Sequence, residues 1–465
     1  MKRSSLRFKA RAVALGLFMS AAALGVAACG AGSSSSGGKN VLTVAYGSDY
    51  VFITPQLAKK WWTQVAQQFE AQHPGVTVKF TPIPGGLTDI VTKLNLLYRS
   101  PSTTPDVAEL PSPEMGGWVS SGYLMQLDKY VQNADWWKRF PAAVQQETTF
   151  NGHVYAVEHG ENTEALYYNI PMFRKAGIAV PWQPKNWSDL LSAAEKVHAA
   201  VPNVWPMWLS GGTAGGTGPI QYDGGNFILG SSNPTIYDAS TKKWVVDSPG
   251  LRDTLGFYSQ LAKRGLQAPA AELLSPNAIV NTFQSSAKQK MAILVSGNFT
   301  GEAWSKQVCG PCWPAGEKTY GVARIPTVNG TGNPNAASAT GGWELGIAAN
   351  ASQPDLAWEF IQTAQQRVNM INAANWAGWV PPDSKYWTDP LFVNLAPAYQ
   401  TFFAKLMNVS HPLPNLPDYE VWANGFNTAT GQIIGNPSTT VDSAINTMKS
   451  YITGQLGASN VETLH

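Results

Sequence analysis

Cys309-Gly310-Pro311-Cys312 spells the thioredoxin-type motif, in which one thiolate attacks a disulfide. That chemistry needs the reactive thiol at the start of a helix, whose amino end lowers its pKa. Here Trp313-Pro314-Ala315-Gly316 follows, a turn-like segment leading into Tyr320-Gly321-Val322, so a local structural disulfide between Cys309 and Cys312 is expected instead. Carboxylates offer a second chemistry. A glycosidase needs two of them about 5–10 Å apart, and Glu109, Glu114, Glu158, Glu161 and Glu164 supply candidates without forcing a pair. The six histidines are scattered without metal-ligand spacing, so neither a metal nor a cofactor is expected. Gly211-Gly212-Thr213-Ala214-Gly215-Gly216 lacks the Lys-Ser/Thr ending of a phosphate-binding loop and reads as a loop near a cleft, and no nucleophile elbow is present.

The third cysteine has a clearer context. Met1 to Arg11 is basic, Ala12 to Ala28 is apolar, and the run ends in Val26-Ala27-Ala28-Cys29. These are the regions of an export signal, and the last four residues resemble a bacterial lipobox, in which Cys29 receives a lipid before cleavage on its amino side. The run holds two glycines and seven alanines and is short for a ~20-residue membrane span. Residues 29–40, rich in Gly and Ser, then form a flexible tether. The mature protein is expected on the extracytoplasmic face of the cell membrane, held by its lipid.

Composition narrows what such a protein binds. Of 465 residues only 13% are charged, which excludes a coiled coil or a disordered chain. The first 28 residues hold five cations and no acid, so the remainder carries 27 basic against 30 acidic side chains, a net charge of −3. Nucleic-acid affinity rests on a basic surface that is missing here, so no nucleic acid is expected as a partner. The 18 Trp, outnumbering the 16 Tyr, suggest a need for flat rings.

The elements that must position these groups are legible in the periodicity. Val41 to Tyr46 reads as a buried strand, Ala58, Trp61, Trp62, Val65 and Phe69 recur at helical spacing up to Pro74-Gly75, and Val76, Val78 and Phe80 alternate as a second strand. Strand, helix and strand in forty residues make a βαβ unit and a parallel sheet. Ser188 is a candidate cap for a helix carrying Leu190, Leu191, Ala194 and Val197, and Ser352-Gln353-Pro354-Asp355 reads as a capping box. The fold class is α/β.

Several segments, in order, resemble family 1 of the extracellular solute-binding proteins of ABC importers, the group that contains the maltose- and trehalose-binding proteins. They are Pro105-Asp106-Val107 with Trp118 and Gly122 to Asp128; Asn151 to Tyr155; Ala165-Leu166-Tyr167-Tyr168-Asn169 through Phe173 to Leu190; Lys290 to Phe299; Gly321 to Pro326; and Gly341-Gly342-Trp343 through Trp358 to Ile361. The resemblance implies a two-lobed periplasmic-binding-protein fold of type II, with crossovers near Glu161 to Glu164, Met291 and Gly341-Gly342. It places 41–161 plus 292–341 in an N-lobe and 162–291 plus 342–465 in a C-lobe.

It further implies a protein that is not an enzyme. The expected role is capture of a sugar, a di- or oligosaccharide, between the lobes and its delivery to the membrane permease of an ABC importer, by a monomer. By matching positions, the ligand residues are Glu114, Asn162, Trp208, Phe299, Trp343 and Trp379, the rings as platforms for sugar faces and the polar groups for hydroxyls. Relatives often carry Asp-Thr-Arg where this chain has Asn162-Thr163-Glu164. The readings from another class are a secreted carbohydrate-active hydrolase and an adhesin or structural lipoprotein; within binding proteins, the alternative solute is a polar one such as a glycerol phosphate. A dianion would call for Arg or Lys, and the matched positions supply none.

Overall fold

The computed structural model describes residues 40–48, 55–276, 278, 286, 288–304, 313, 315–332, 334–395 and 399–465. The expected signal peptide (1–28), Cys29 and all of the tether but Asn40 lie outside these residues, as do Cys309 and Cys312.

Nine strands build two sheets: β1 (Val41–Gly47), β2 (Thr77–Ile83), β3 (Val107–Pro111), β4 (Ala156–Gly160), β5 (Glu164–Asn169), β6 (Trp205–Trp208), β7 (Met291–Gly297), β8 (Tyr320–Ala323) and β9 (Trp343–Ile347). The first sheet has the order β2-β1-β3-β9-β4 and the second β8-β5-β7-β6. Eight helices matter below: α1 (Pro55–Gln72), α2 (Ala142–Glu147), α3 (Trp187–Ala200), α4 (Pro249–Lys263), α5 (Pro354–Ala364), α6 (Arg367–Ala377), α7 (Tyr419–Gly435) and α8 (Val441–Leu456).

The βαβ unit forms as its periodicity predicts, with β1 and β2 parallel and paired from Val41 with Thr77 to Gly47 with Ile83. Helix α1 buries Ala58, Trp61, Trp62, Val65, Ala66 and Phe69 as one stripe. Trp62 stacks on Tyr46 at 5.0 Å between ring centres, a ring pair worth ~0.5–1.5 kcal/mol beyond its buried area. The sheet is mixed rather than wholly parallel, because β9 runs antiparallel to both β3 and β4. Helices α5 and α6 return to pack on α1. In the second lobe α3 covers β6 and β7, and α4, α7 and α8 pack on one another.

Two caps differ from expectation. The Asn186 side chain, not Ser188, accepts the backbone N–H of Asp189 and caps α3, because Ser188 already lies within the first turn. Helix α5 starts at Pro354 with no side-chain cap, since Gln353 holds the cap position and makes no such bond.

Strand pairing also exchanges two segments between the lobes. Within 292–341, expected in the N-lobe, β7 and β8 pair with β5 in the second sheet. Within 342–465, β9 inserts between β3 and β4 of the first sheet, and α5 and α6 follow it there, whereas α7 and α8 lie in the second lobe. The chain therefore passes between the sheets at Glu161–Thr163 and at Gly341-Gly342, whereas Met291 opens a strand internal to the second sheet. The remaining passage lies beyond Val380. Among the described residues no helix is long and apolar enough to cross a membrane.

Candidate functional site

The passages between the sheets are laced together by short bridges. Glu161 and Val380 exchange backbone hydrogen bonds at 3.1 and 2.9 Å, and Thr163 bridges Thr340. Asn298, just past the end of β7, joins them: its Nδ2 donates to the carbonyls of Gly378 at 2.6 Å and Glu161 at 3.3 Å, and its Oδ1 accepts from the Thr163 N–H at 2.8 Å. A buried side chain that satisfies three backbone groups of two passages fixes where both run. Glycines let the passages approach: a Cβ on Gly342 would collide with the Gly160 carbonyl and the Glu158 carboxylate.

Above this hinge the lobes touch. Gly116 of the first lobe donates to the Asn415 side chain of the second at 2.5 Å, and Asn415 donates back to the Glu147 carbonyl at 2.5 Å. Ser112, Pro113 and Glu147 on one side and Gln221, Thr340, Gly341 and the 412–415 segment on the other line a narrow cleft in which only about 10 Å³ is open to the centre of a water molecule. Pockets that hold small molecules measure ~300–1,000 Å³, so the cleft as it stands is too small to hold one. Gly216, closing the glycine-rich run, stands beside Thr88 of the first lobe, which places that run at the same lobe boundary.

The six candidate ligand residues fall into two groups. Glu114, half-buried at the end of the 3₁₀ turn Ser112–Glu114, faces the second lobe, and burial together with the charge of Glu420 raises its carboxyl to about 7. Trp343 opens β9, half-buried, with its N–H donated to Glu158 at 2.8 Å. Phe299 follows Asn298 and meets Tyr222 edge-on at 5.4 Å. Glu114 and Trp343 are half-buried, whereas Phe299 is 3% exposed. The others are engaged structurally. Asn162 donates to the Gly341 carbonyl at 3.0 Å and lies buried inside the hinge. Trp379 packs edge-on to His159 at 5.2 Å and against Gly160. Trp208 is 2% exposed within β6, paired with Leu294 in the second sheet, a setting that favours packing.

Glu147, Glu344 and Asp223 join the candidate carboxylates Glu109, Glu158, Glu161 and Glu164 only in three dimensions. Glu147, Glu158, Glu161 and Glu344 are all buried at the hinge, and burial raises each carboxyl. For Glu161 the rise stops at about 7, because hydrogen bonds from Thr340 Oγ1 and from the N–H groups of Asn162 and Gly341 favour its charged form. In the second lobe Asp223 accepts from Ser210, yet burial holds it at about 7, and its charge adds to the burial that raises Glu164. In the first lobe the Glu109–His159 pair, 2.9 Å apart, sits in an apolar cavity walled by Trp61, Trp62, Trp376 and Trp379. Trp61 and Trp62 are core residues by helical spacing, and the same spacing turns them toward this pair. The lobe boundary is thus rich in acceptors and aromatic faces, and none of the residues named at it is Lys or Arg.

Two lobes, discontinuous in sequence, are joined by several passages and touch around a small cleft. The model of the bacterial extracellular solute-binding protein family matches residues 54–370, and the chain belongs to that family. It is 24% identical over 376 residues to the maltotriose-binding protein of Pyrococcus abyssi, covering 80% of this chain and 74% of that one. It is 25% identical over 289 residues to a probable ABC transporter-binding protein of Deinococcus radiodurans, covering 62% of this chain and 64% of that one. Among solved structures, maltose-bound T. maritima MalE3 superposes with a TM-score of 0.72 at 19% identity, covering 90% of this chain and 100% of that one. The GacH receptor of Streptomyces glaucescens, solved unliganded and with acarbose, gives 0.71 at 19% identity over 90% of this chain and 98% of that one. These likenesses establish the two-lobed fold. The family is one of extracytoplasmic binding proteins, not of enzymes.

Proposed function

We propose that this protein captures a neutral di- or oligosaccharide, or a related polyol, between its lobes and delivers it to the permease of an ABC importer. The observation that carries the reading is the chemistry of the lobe boundary: half-buried Glu114 and Trp343 and the Tyr222–Phe299 ring pair offer acceptors and apolar faces without a cation. Sugars and polyols present hydroxyl donors around C–H faces and match that set. The names of similar proteins point the same way, since maltotriose, maltose, acarbose and ribitol occur among them. A phosphorylated or carboxylated solute would leave its charge unpaired there. We further propose that Cys29 carries the lipid anchor, that Cys309 and Cys312 form a local disulfide, and that the protein acts as a monomer.

The test is a thermal-shift screen of maltose, maltotriose, ribitol, mannitol and glucose 6-phosphate, followed by calorimetry and chromatography of the recovered sugar. A ligand at 100 times its Kd adds about 2.7 kcal/mol to stability. A shift with neutral sugars or polyols, with the sugar recovered intact, supports the reading. A shift with the phosphate alone, or cleavage of the oligosaccharide, overturns it.

A further inference from the structure

The scattered histidines suggest no metal, yet the hinge gathers oxygen atoms that neither the fold nor solute capture uses. Glu147 at the end of α2, Glu158 in β4 and Glu161 in the first passage are all buried, and each offers a carboxylate oxygen within 4.8 Å of the others. A calcium-type ion sits roughly 2.3–2.6 Å from each oxygen ligand, so oxygens on opposite sides of it lie about 4.6–5.2 Å apart. The spacing is that of ligands around one ion.

Two of these carboxylates are also oriented as ligands. Glu158 Oε1 accepts from the N–H groups of Gly160 and Trp343 at 3.0 and 2.8 Å, while its Oε2 has no partner. Glu161 Oε1 accepts from Asn162 N–H, Thr340 Oγ1 and Gly341 N–H at 2.9, 2.7 and 3.0 Å, and its Oε2 likewise has none. One oxygen fastened by outer donors and one left over is how proteins aim metal-binding carboxylates. Both oxygens of Glu147 lack an N–H or hydroxyl donor, and its carboxyl lies close enough to that of Glu161 to share a proton with it when no cation is bound.

A residue outside the acidic group borders the same cavity. Gln221 of the second lobe, 5% exposed, lines the same cavity as Glu147; its Nε2 donates to the Thr340 carbonyl at 3.3 Å, while its Oε1 has no partner. Glu344 stands opposite Glu158 in the β9–β4 register, fully buried, with neither oxygen bonded. Among the described residues no Lys, Arg or His forms an ion pair with any of these four acids. Carboxylates held by N–H donors in a dry hinge without a counter-charge are costly.

We propose that Glu147, Glu158, Glu161 and Gln221 form a site for one hard divalent cation, of calcium type, with Glu344 adding negative charge behind it. Five oxygens that no N–H or hydroxyl donor reaches come from these four ligands. Calcium takes six to eight and fills the balance with water, whereas magnesium demands a smaller, near-octahedral shell, and zinc prefers nitrogen and sulfur. Glu147 and Glu158 belong to the first lobe, Glu161 to a passage and Gln221 to the second lobe. The ion therefore ties the hinge, and its binding needs no sugar.

The test uses the full folded chain, stripped with chelator and then titrated with calcium chloride or magnesium chloride in the absence of sugar. Expected are about one bound calcium per chain by elemental analysis, a rise in melting temperature with calcium, and a weaker response to magnesium. Glu147→Gln and Glu161→Gln keep the side-chain shape and should weaken calcium binding at least about tenfold, with circular dichroism unchanged. Gln221→Leu, outside the acidic group, should weaken it in the same direction and serves if the Glu variants do not fold. No calcium uptake at millimolar concentration overturns the proposal. So does an equal calcium response in parent and variants, or variants that are simply more stable than a parent indifferent to calcium, which would mean that the cluster carries protons.

Discussion

Glu114 of the first lobe and Glu420 at the start of α7 in the second set two acids against each other across the cleft. The charge of Glu420 adds to burial in raising the Glu114 carboxyl to about 7, and Glu114 in turn adds to the burial that raises Tyr419. Bringing the lobes together therefore favours a proton on Glu114.

The pH dependence follows with a definite sign. A carboxyl whose pKa is higher in the folded, closed form than in the unfolded chain weakens that form once it ionises. The cost is absent below about 4.5, grows through the interval and is complete above about 7. Ionisation of Glu114 should thus cost about 1–3 kcal/mol at pH 8 relative to pH 5, the lower end allowing for solvent screening. Buried Asp223, also near 7, acts in the same direction. Melting temperatures of parent and Glu114→Gln between pH 5 and 8 check it: the decline should be shallower in the variant. Parallel curves would show that Glu114 does not sense closure.

Asn298 carries the passages between lobes through three backbone bonds, to Gly378, Glu161 and Thr163. Asn298→Ala leaves the buried Thr163 N–H without its acceptor, at about 1–3 kcal/mol, whereas the Gly378 carbonyl keeps Gln400 Nε2 and the Glu161 carbonyl keeps the Val380 N–H. A loss of roughly 1–3 kcal/mol is expected in urea unfolding, with an unchanged slope if the native compactness survives. A loss below about 0.5 kcal/mol, the level of an ordinary surface substitution, would mean that the hinge does not depend on this side chain.

Much of this arrangement was legible in the sequence where the signal is local. The β1-α1-β2 unit shows in the alternation of Val76, Val78 and Phe80 and in the helical spacing of Trp61, Trp62 and Phe69, because each pattern is set by neighbours along the chain. The exchange of β7, β8 and β9 between lobes was not legible, since all three are short apolar runs whose partners are chosen by non-local pairing. The same holds for Glu147 and Glu344, and for the partner of Glu158: only the β9–β4 register puts Glu344 opposite Glu158. Tryptophans mislead for a related reason. Trp208 in β6 and Trp343 in β9 are alike in composition and strand setting, yet one is 2% exposed and the other half-buried beside a passage.

The proposed anchor makes a prediction for the whole cell. Cys29→Ser removes the thiol that lipidation requires, so the protein should leave the membrane fraction and appear in the soluble one, with sugar affinity unchanged. Fractionation followed by mass spectrometry of the amino terminus reads both events. A variant that stays in membranes with its leader uncleaved would place the anchor in the apolar run instead.

Trp343 follows the Gly341-Gly342 passage directly, half-buried, with its backbone fixed by Glu158 and by pairing to Pro111 and Gly160. Removing its ring leaves those backbone bonds in place. Trp343→Ala should therefore weaken sugar binding without unfolding either lobe. The expected cost is ~1–4 kcal/mol, or roughly tenfold to a thousandfold in Kd, the range of buried aromatic anchors. Phe299→Ala should act in the same direction but more weakly, because a phenyl ring offers less area than an indole and Phe299 is already edge-packed on Tyr222. Calorimetry with the sugar found by screening, paired with circular dichroism, provides the measurement. Parental affinity in both variants would make these rings packing residues and move the sugar toward Glu114 and the 412–415 segment. A loss confined to Trp343→Ala would put the platform on the first lobe alone, so that closure of the second lobe adds hydrogen bonds rather than a second ring.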